Sequence, residues 1–204
     1  MKQIDAIVLA AGLSRRMGEP KLLLSWRDKT VLEATLANVL ASDVRQIVVV
    51  TGGYLPKIEA RLRPLQLLHH NGVRPSIVSV HNPDFATGEM LSSLKVGLRA
   101  LDDSADGCLV MLGDMPMVDS GTINQVAEAL ETHPLAAPFF EGQRGHPIGF
   151  GRNLFPQFLN LLPDRAPRDV IRANRHQMRR IAVDTQSVLI DLDTREAYER
   201  WRPR

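Results

Sequence analysis

Short apolar runs alternate along the chain with longer segments in which apolar residues recur every three or four positions. The runs at 4–9, 46–51, 76–80 and 108–112 have the length of single strands, and each is followed by a polar or glycine-bearing segment. The first and last are largely apolar, which is typical of parallel strands covered on both faces. Strands that alternate with helices in this way predict an α/β fold with a mostly parallel sheet and right-handed crossovers.

The segments between these strands carry helix signals. Thr30, followed by Glu33 three residues later, has the pattern of a capping box at a helix start. Further helices are predicted at about 56–63, 88–101 and 120–131. Loops that leave the carboxyl ends of parallel strands meet at one edge, where such sheets bind ligands. Three loops are candidates for that edge: 10–20, 52–54 and 113–116.

The regular alternation weakens from about Ala136. Residues 142–151 contain four glycines and a proline, which predicts a hairpin or an extended loop over the sheet. Beyond it we predict helices at 153–161 and 168–175, strands at 180–183 and 188–192, and a last helix ending at Trp201. Because neither a repeat nor a linker interrupts the chain, residues 1–204 are expected to form one domain.

The segment after the first strand has the composition of an anion-binding loop. Ala10, Ala11 and Gly12 are small, so a ligand can approach their backbone amide groups closely. Arg16 can offer a fork to two phosphate oxygens, and Lys21 supplies a compact charge. The glycine spacing fits neither the P-loop nor the dinucleotide fingerprint. We therefore predict a phosphate-binding loop rather than a plain surface turn.

Residues 9–21 read Leu-Ala-Ala-Gly-x-Ser-x-Arg-Met-Gly-x-x-Lys, which resembles the signature of the nucleotidyltransferases that build molybdenum-cofactor dinucleotides. The cytidylyltransferase branch is the most similar. Four later motifs extend the resemblance over almost the whole chain. They are Asn82-Pro83 with Gly88 and Ser92-Ser93-Leu94, Gly113-Asp114-Met115-Pro116, Gly145-His146-Pro147, and Asp191-Leu192-Asp193-Thr194.

The resemblance implies a three-layer, Rossmann-like, mostly parallel sheet of the nucleotide-diphospho-sugar transferase type. It also implies a reaction, in which the terminal phosphate of a molybdopterin-type cofactor attacks the α-phosphate of CTP and releases pyrophosphate. Asp114 follows a strand and a glycine, so its carboxylate could serve a metal or a local turn. The resemblance favours Mg²⁺ held by Asp114 and Asp193, with Asp191 as the alternative second ligand.

The remaining site residues follow from the same motifs. Arg16, Lys21 and Asp114 are the expected catalytic residues, and His146 is expected to face the acceptor. The expected nucleotide-binding residues are Leu9, Ala10, Ala11, Gly12, Arg16, Lys21, Ser92, Ser93 and Asp114. The chain departs from the family at 163–168, where a glycine-rich segment is usual, and this bears on the acceptor side.

Composition narrows the function classes. The single cysteine, Cys108, excludes an internal disulfide and a cysteine-cluster metal site, which points to the cytoplasm. A net charge of +2 and 5% aromatic residues give little support for nucleic-acid binding. Apolar runs are too short for a membrane span. A second basic cluster, at Arg172, Arg175, Arg179 and Arg180, is interpreted as a solvated helix face.

Three other functions remain open. The first is a transferase of the same fold that uses GTP or another acceptor, although Ala11 favours the cytidylyl branch. The second is a nucleotide-binding regulatory or chaperone-like protein without turnover. The third is a nicotinamide-dependent reductase of a pterin-like ligand, which the missing dinucleotide fingerprint disfavours. Molybdoenzymes or their chaperones are further partners that the resemblance leaves open.

Overall fold

Ten strands are present in the computed structural model, which describes residues 1–69 and 75–203. They are β1 (Ile4–Ala10), β2 (Ser25–Trp26), β3 (Lys29–Thr30), β4 (Gln46–Thr51), β5 (Ser76–His81), β6 (Gly107–Leu112), β7 (Leu135–Phe140), β8 (Gln143–Arg144), β9 (Ile148–Gly151) and β10 (Met178–Ala182). The main sheet has the order β10-β7-β9-β6-β1-β4-β5, and β8 pairs with β7. β2 and β3 form a separate small ribbon.

Helices cover both faces of this sheet. They are α1 (Val31–Leu40), α2 (Leu55–Leu68), α3 (Glu89–Arg99), α4 (Ser120–Ala129), α5 (Phe155–Leu159), α6 (Pro167–Ala173) and α7 (Arg195–Trp201). Alternate residues of β1 point to opposite faces: Val8 belongs to the apolar cluster that includes residues of α1, α2 and α4, whereas Ile7 belongs to the cluster that includes residues of α3, α5 and α6. The three-layer α/β architecture predicted from the sequence is therefore confirmed. Among the described residues, no helix combines the length and apolar character that crossing a membrane requires.

Strand direction places the polar loops at one edge. β4, β1 and β6 run parallel, as do β5 with β4 and β10 with β7. β9 is antiparallel to both β6 and β7, so β7 again runs in the direction of β6. The carboxyl ends of β1, β4, β6 and β7 consequently lie along the same edge, with the loops that follow them.

The carboxyl-terminal third differs from the sequence prediction. A hairpin is present here, because β8 pairs antiparallel with β7 across a turn at Glu141–Gly142. The segment 142–151 does not lie over the sheet, however, since β9 inserts between β6 and β7. β7 was not predicted, because its Leu-Ala-Ala-Pro-Phe-Phe sequence contains small residues and a proline that weaken a strand signal. The strand predicted at 188–192 is wrong. A 3₁₀ helix, Gln186–Leu189, occupies part of it, started by the Thr185 side chain that accepts from the Ser187 amide.

Candidate active site

The loop after β1 folds back on itself around Ser14. The amides of Met17 and Gly18 both donate to the Ser14 carbonyl, at 2.9 and 3.2 Å, and Ser14 adopts a positive φ of 52°. Its hydroxyl accepts from the Lys21 amide at 3.1 Å. Lys21 then opens a short 3₁₀ helix in which Leu22 is buried. The loop thereby holds the Lys21 side chain at the edge of the sheet.

A tight turn after β6 presents Asp114. The Gly113 amide donates to the Leu9 carbonyl at 3.0 Å, and a β-carbon at Gly113 would lie 3.0 Å from that same oxygen. The Thr35 hydroxyl of α1 donates to the Gly113 carbonyl at 3.0 Å. Asp114 is therefore held in place by β1 and α1, and only 3% of the residue is exposed.

The segment before α7 completes the site from the far end of the chain. The Leu192 amide donates to the Asp114 carbonyl at 3.2 Å, and the Leu192 side chain is fully buried. Thr194 caps α7 by accepting from the Ala197 amide at 3.2 Å. Asp191 and Asp193 flank Leu192 and face the same cleft.

Four charged side chains converge here. The Lys21 ammonium donates to both Asp114 and Asp193, and Arg16 donates to the other oxygen of Asp193. Burial disfavours the Lys21 charge, but the two carboxylates outweigh it, so the pKa of Lys21 is raised. Burial likewise opposes the Asp193 charge, but Lys21 and Arg16 prevail and the pKa of Asp193 is lowered. Since both carboxylates contact one nitrogen, they are close enough to share one ion.

Asp191 is a third carboxylate at this site, and none of the ion pairs among the described residues includes it. Burial and then the charges of Asp193 and Asp114 raise its pKa, and Lys21 offsets this only in part. The cluster thus holds an excess of negative charge next to a cleft, which is an environment suited to a further cation.

The cleft beside this cluster has a volume of about 350 Å³. Its lining residues are Leu9, Ala11, Gly12, Arg16, Lys21, Leu22, Phe85, Met90, Ser93, Leu112, Asp114, Asp191 and Asp193. One end is charged and the other is apolar with the Ser93 hydroxyl. The buried Asn82 amide donates to Ser93 at 2.9 Å and fixes that hydroxyl. This combination suits a ligand with an anionic part and a flat, partly polar part.

Sequence reasoning did not find the apolar wall. Phe85, Met90, Leu22 and Leu112 line the cleft although none was singled out. Leu112 ends β6, one position before the Gly113 turn, and Phe85 follows the Asn82-Pro83 motif. Adjacency to these motifs was the available signal.

Three predicted site residues are not among those that line the cleft. Ala10 is the last residue of β1 and is buried. Ser92 lines a neighbouring cavity and accepts from the Asn82 amide at 2.8 Å. His146 is partly buried, and its Nδ1 lies 3.5 Å from the Val110 carbonyl. Desolvation outweighs this hydrogen bond and lowers the pKa of His146.

The donor set fits a hard divalent cation. Asp114 and Asp193 offer carboxylate oxygens at one point, and Mg²⁺ characteristically takes one or two carboxylates together with water and phosphate oxygens. In the part of the chain that the structure describes, no group of three or more His, Cys, Asp or Glu side chains is arranged to hold a metal. An ion held by Asp114 and Asp193 would leave its other coordination positions to water and to the oxygens of the ligand.

The chain has clear relatives over nearly its full length. The family described as "MobA-like NTP transferase domain" matches residues 6–180, so Asp191 and Asp193 lie beyond the matched region. The molybdenum cofactor cytidylyltransferase of Escherichia coli is 28% identical, covering 97% of this chain and 95% of the relative. The purine catabolism protein PucB of Bacillus subtilis is 27% identical, with 95% and 93% covered. A probable molybdenum cofactor guanylyltransferase of Bacillus cytotoxicus is 25% identical, with 97% and 96% covered.

Solved structures agree in fold. Rv0371c of Mycobacterium tuberculosis has a TM-score of 0.81 at 30% identity, covering 98% of this chain and 97% of that one. A structure of Rv0371c in complex with manganese has a TM-score of 0.77 at 29% identity, with 98% of each chain covered. A nucleotidyl transferase of Methanothermobacter has a TM-score of 0.80 at 25% identity, with 99% and 97% covered.

Proposed function

The chain belongs to the MobA-like NTP transferase family and is a nucleotidyltransferase, and we propose that it transfers CMP from CTP to the terminal phosphate of molybdenum-molybdopterin, releasing pyrophosphate. One observation carries this proposal. Lys21, Asp114 and Asp193 come from three distant segments and converge at one end of the cleft. We propose that residues 1–204 act as one domain in the cytoplasm.

The nucleotide would lie along the cleft with its base at the apolar end. Leu9, Leu112 and Phe85 form walls for a flat ring, and the Ser93 hydroxyl can hydrogen-bond its polar edge. Ala11 and Gly12 let the backbone approach the nucleotide, and no neighbouring atom would lie within 4 Å of a β-carbon on Gly12. Of the two serines expected to contact the base, the geometry favours Ser93 over Ser92.

The triphosphate would lie at the charged end. Arg16 can reach two phosphate oxygens, because its side chain is 70% exposed and, among the described residues, forms an ion pair with Asp193 alone. Lys21 is mostly buried and supplies a charge close to Asp114. Together these cations would stabilise the negative charge that builds up on the departing pyrophosphate.

Mg²⁺ is the proposed cofactor, held by Asp114 and Asp193. When bound, it would neutralise charge on the α-phosphate and on the attacking phosphate. The attacking oxygen belongs to a phosphate that is already ionised at neutral pH, so a strong general base is unnecessary. The task of this chain's residues is then to position both phosphates and to balance their charge.

His146 is proposed to bind the acceptor from a neighbouring position. It does not line the nucleotide cleft, but its ring is near enough to Asp114 and Arg144 for their charges to affect its pKa. The Gly145–His146 backbone is held from two sides, by the Pro138 carbonyl at 2.8 Å and the Val188 carbonyl at 2.9 Å.

The regulatory alternative is disfavoured by the acidic cluster. A protein that only bound a nucleotide would gain little from Asp191 and two further carboxylates beside the phosphates, because like charges repel. A transferase needs such carboxylates for its metal ion.

A pyrophosphate-release assay tests the proposal. The protein would be mixed with Mg²⁺, molybdenum-molybdopterin and either CTP or GTP, and each component would be omitted in turn. We expect release only in the complete mixture and faster turnover with CTP. Faster turnover with GTP would assign the guanylyl activity, and release without the molybdopterin would contradict the proposed acceptor.

A further inference from the structure

A second cavity, here named the arginine cavity, is lined by Arg144, Arg172, Arg175, His176, Arg180 and Phe139 among others, and has a volume of about 670 Å³. It lies between α6 and the β7–β10 side of the sheet. It shares no lining residue with the nucleotide cleft among the described residues. The sequence had suggested a solvated helix face for three of these arginines, but they surround a concave space together with Arg144.

The charge of the arginine cavity is unbalanced. No Asp or Glu of the described ranges 1–69 and 75–203 lines it. Arg172 is paired with Asp169, whereas Arg144, Arg175 and Arg180 make no ion pair with a described carboxylate. Like charges facing one another across a cavity repel, so the site as it stands favours an incoming anion.

Two of the cations lie against the same aromatic residue, Phe139. The Arg180 guanidinium stacks on Phe139, with its carbon 4.1 Å from the ring centre, and this orients its plane. Arg144 lies on β8 opposite Phe139, and burial lowers its pKa. A guanidinium that no described carboxylate pairs keeps its donors available for the oxygens of an incoming anion.

We propose that the arginine cavity binds a small molecule carrying phosphate groups, at a site separate from the nucleotide cleft. Guanidinium forks match phosphate oxygens in pairs, and a diphosphate offers enough oxygens to engage several forks at once. The inference does not depend on which nucleotide or acceptor the enzyme uses.

Methionine methyl groups allow each site to be observed separately. Met178 lines the arginine cavity, and Met90 lines the nucleotide cleft. With ¹³C-methyl methionine, titration of inorganic pyrophosphate should shift the Met178 signal in a saturable way. The same titration of a Lys21→Ala variant should leave the Met178 response in place, because that lysine belongs to the cleft. Met178→Leu assigns the signal.

Single arginine variants, compared with a control on the same strand, then identify which cations bind the anion. Along β10, Arg180 shares a face with Met178, whereas Arg179 shares the opposite face with Ile181. Arg180→Gln and Arg175→Gln should each weaken the affinity measured at Met178 by about tenfold, the effect of one lost charged hydrogen bond. Arg179→Gln removes the same charge from the same strand and should leave the affinity within about twofold.

Three results would overturn the proposal. One is a Met178 signal that does not respond to pyrophosphate at concentrations that saturate Met90. Another is an equal loss of affinity in Arg179→Gln, which would mean that only the general positive charge matters. The third is equally tight saturation by citrate, which would reject phosphate as the recognised group.

Discussion

Both ends of β1 hold a carboxylate bound to a cation, yet the two contacts differ in what surrounds them. At the start of the strand Asp5 is fully buried, and Arg45 donates to both of its carboxylate oxygens, at 2.9 and 2.7 Å. Arg45 also donates to Gln3 at 2.9 Å. At the other end Lys21 is divided between two carboxylates, and Asp191 adds a third beside an open cleft.

The difference separates a structural ion pair from a functional one. Around Asp5, one guanidinium binds both oxygens of the buried carboxylate and lies 3.6 Å from the exposed Asp102, and burial outweighs the effect of Arg45 enough to raise the pKa of Asp5. A ligand would gain nothing there. The Asp114 end combines surplus carboxylates with access to a cavity, so a metal ion and phosphates can complete it. Burial alone therefore does not mark function, whereas incomplete charge balance next to a cavity does.

The strongest test of this contrast is Asp114→Asn. It should lower kcat by about 10³-fold or more, because the ligand that would hold the metal loses its charge. The unfolding free energy should change little, since an asparagine of the same shape can still accept from Lys21. Pyrophosphate release and urea denaturation measure the two effects. Normal magnesium-dependent turnover in this variant would remove Asp114 from the mechanism.

Asp5→Ala should have the opposite pair of effects, a large loss of stability with little change in kcat. Removing Asp5 leaves the largely buried Arg45 with only the exposed Asp102 as a described ion-pair partner, at 3.6 Å, and should cost about 3 kcal/mol of unfolding free energy. The kcat per folded molecule should stay within about twofold of normal. The double variant Asp5→Leu/Arg45→Met should be less destabilised than Asp5→Ala, because no unpaired charge is left. A large kcat loss in correctly folded Asp5→Ala would erase the distinction between the two ends.

Lys21→Ala should reduce kcat/KM by about 10²–10³-fold, as expected for a preorganised cation at a developing negative charge. Arg16→Ala should cost less, about tenfold, because that side chain is 70% exposed and its interactions are screened by water. Steady-state kinetics with varied CTP measure both. A loss below about threefold in both variants would show that this loop does not handle the phosphates.

The smallest predicted effect concerns His146, which is partly buried and belongs to neither of the two ion-pair groups. Its pKa is lowered from 6.5, so just below that pH the unfolded chain binds a proton that the folded chain does not. Stability should therefore fall on acidification, by at most about 1.4 kcal/mol per pH unit. His146→Gln should remove the contribution of His146 to the pH dependence of the unfolding free energy. Denaturant unfolding between pH 7 and 5 compares the two proteins, and parallel curves would mean that His146 does not contribute.

Local patterns were enough to predict the first half of the fold. The strands β1, β4, β5 and β6 appear where apolar runs ended in turn residues, and the capping box of Thr30 and Glu33 is present. Both signals arise from residues within a few positions of each other, so they can be read without the tertiary structure. The 9–21 signature likewise indicated the family, which the comparisons confirm.

The sheet beyond β6 could not be predicted in this way. β9 has only four residues, two of them glycine, and becomes a strand because it pairs with β6 on one side and with β7 on the other. Gly145 shows the same dependence. A β-carbon there would lie 2.4 Å from the Val188 carbonyl, a clash that involves residues more than forty positions apart.

The sequence by itself determined the parts of the candidate site: a small-residue loop with Arg16 and Lys21, a turn with Asp114, and a late Asp193. Only the tertiary structure decided how they meet. The hydrogen bond from the Leu192 amide to the Asp114 carbonyl brings the last segment to the first, and the Asn82 amide holds Ser93 at the cleft. The tertiary structure also brings Arg144 and Arg180 together around one cavity. Such contacts depend on chain crossings and burial over long sequence distances, which short-range periodicity does not record.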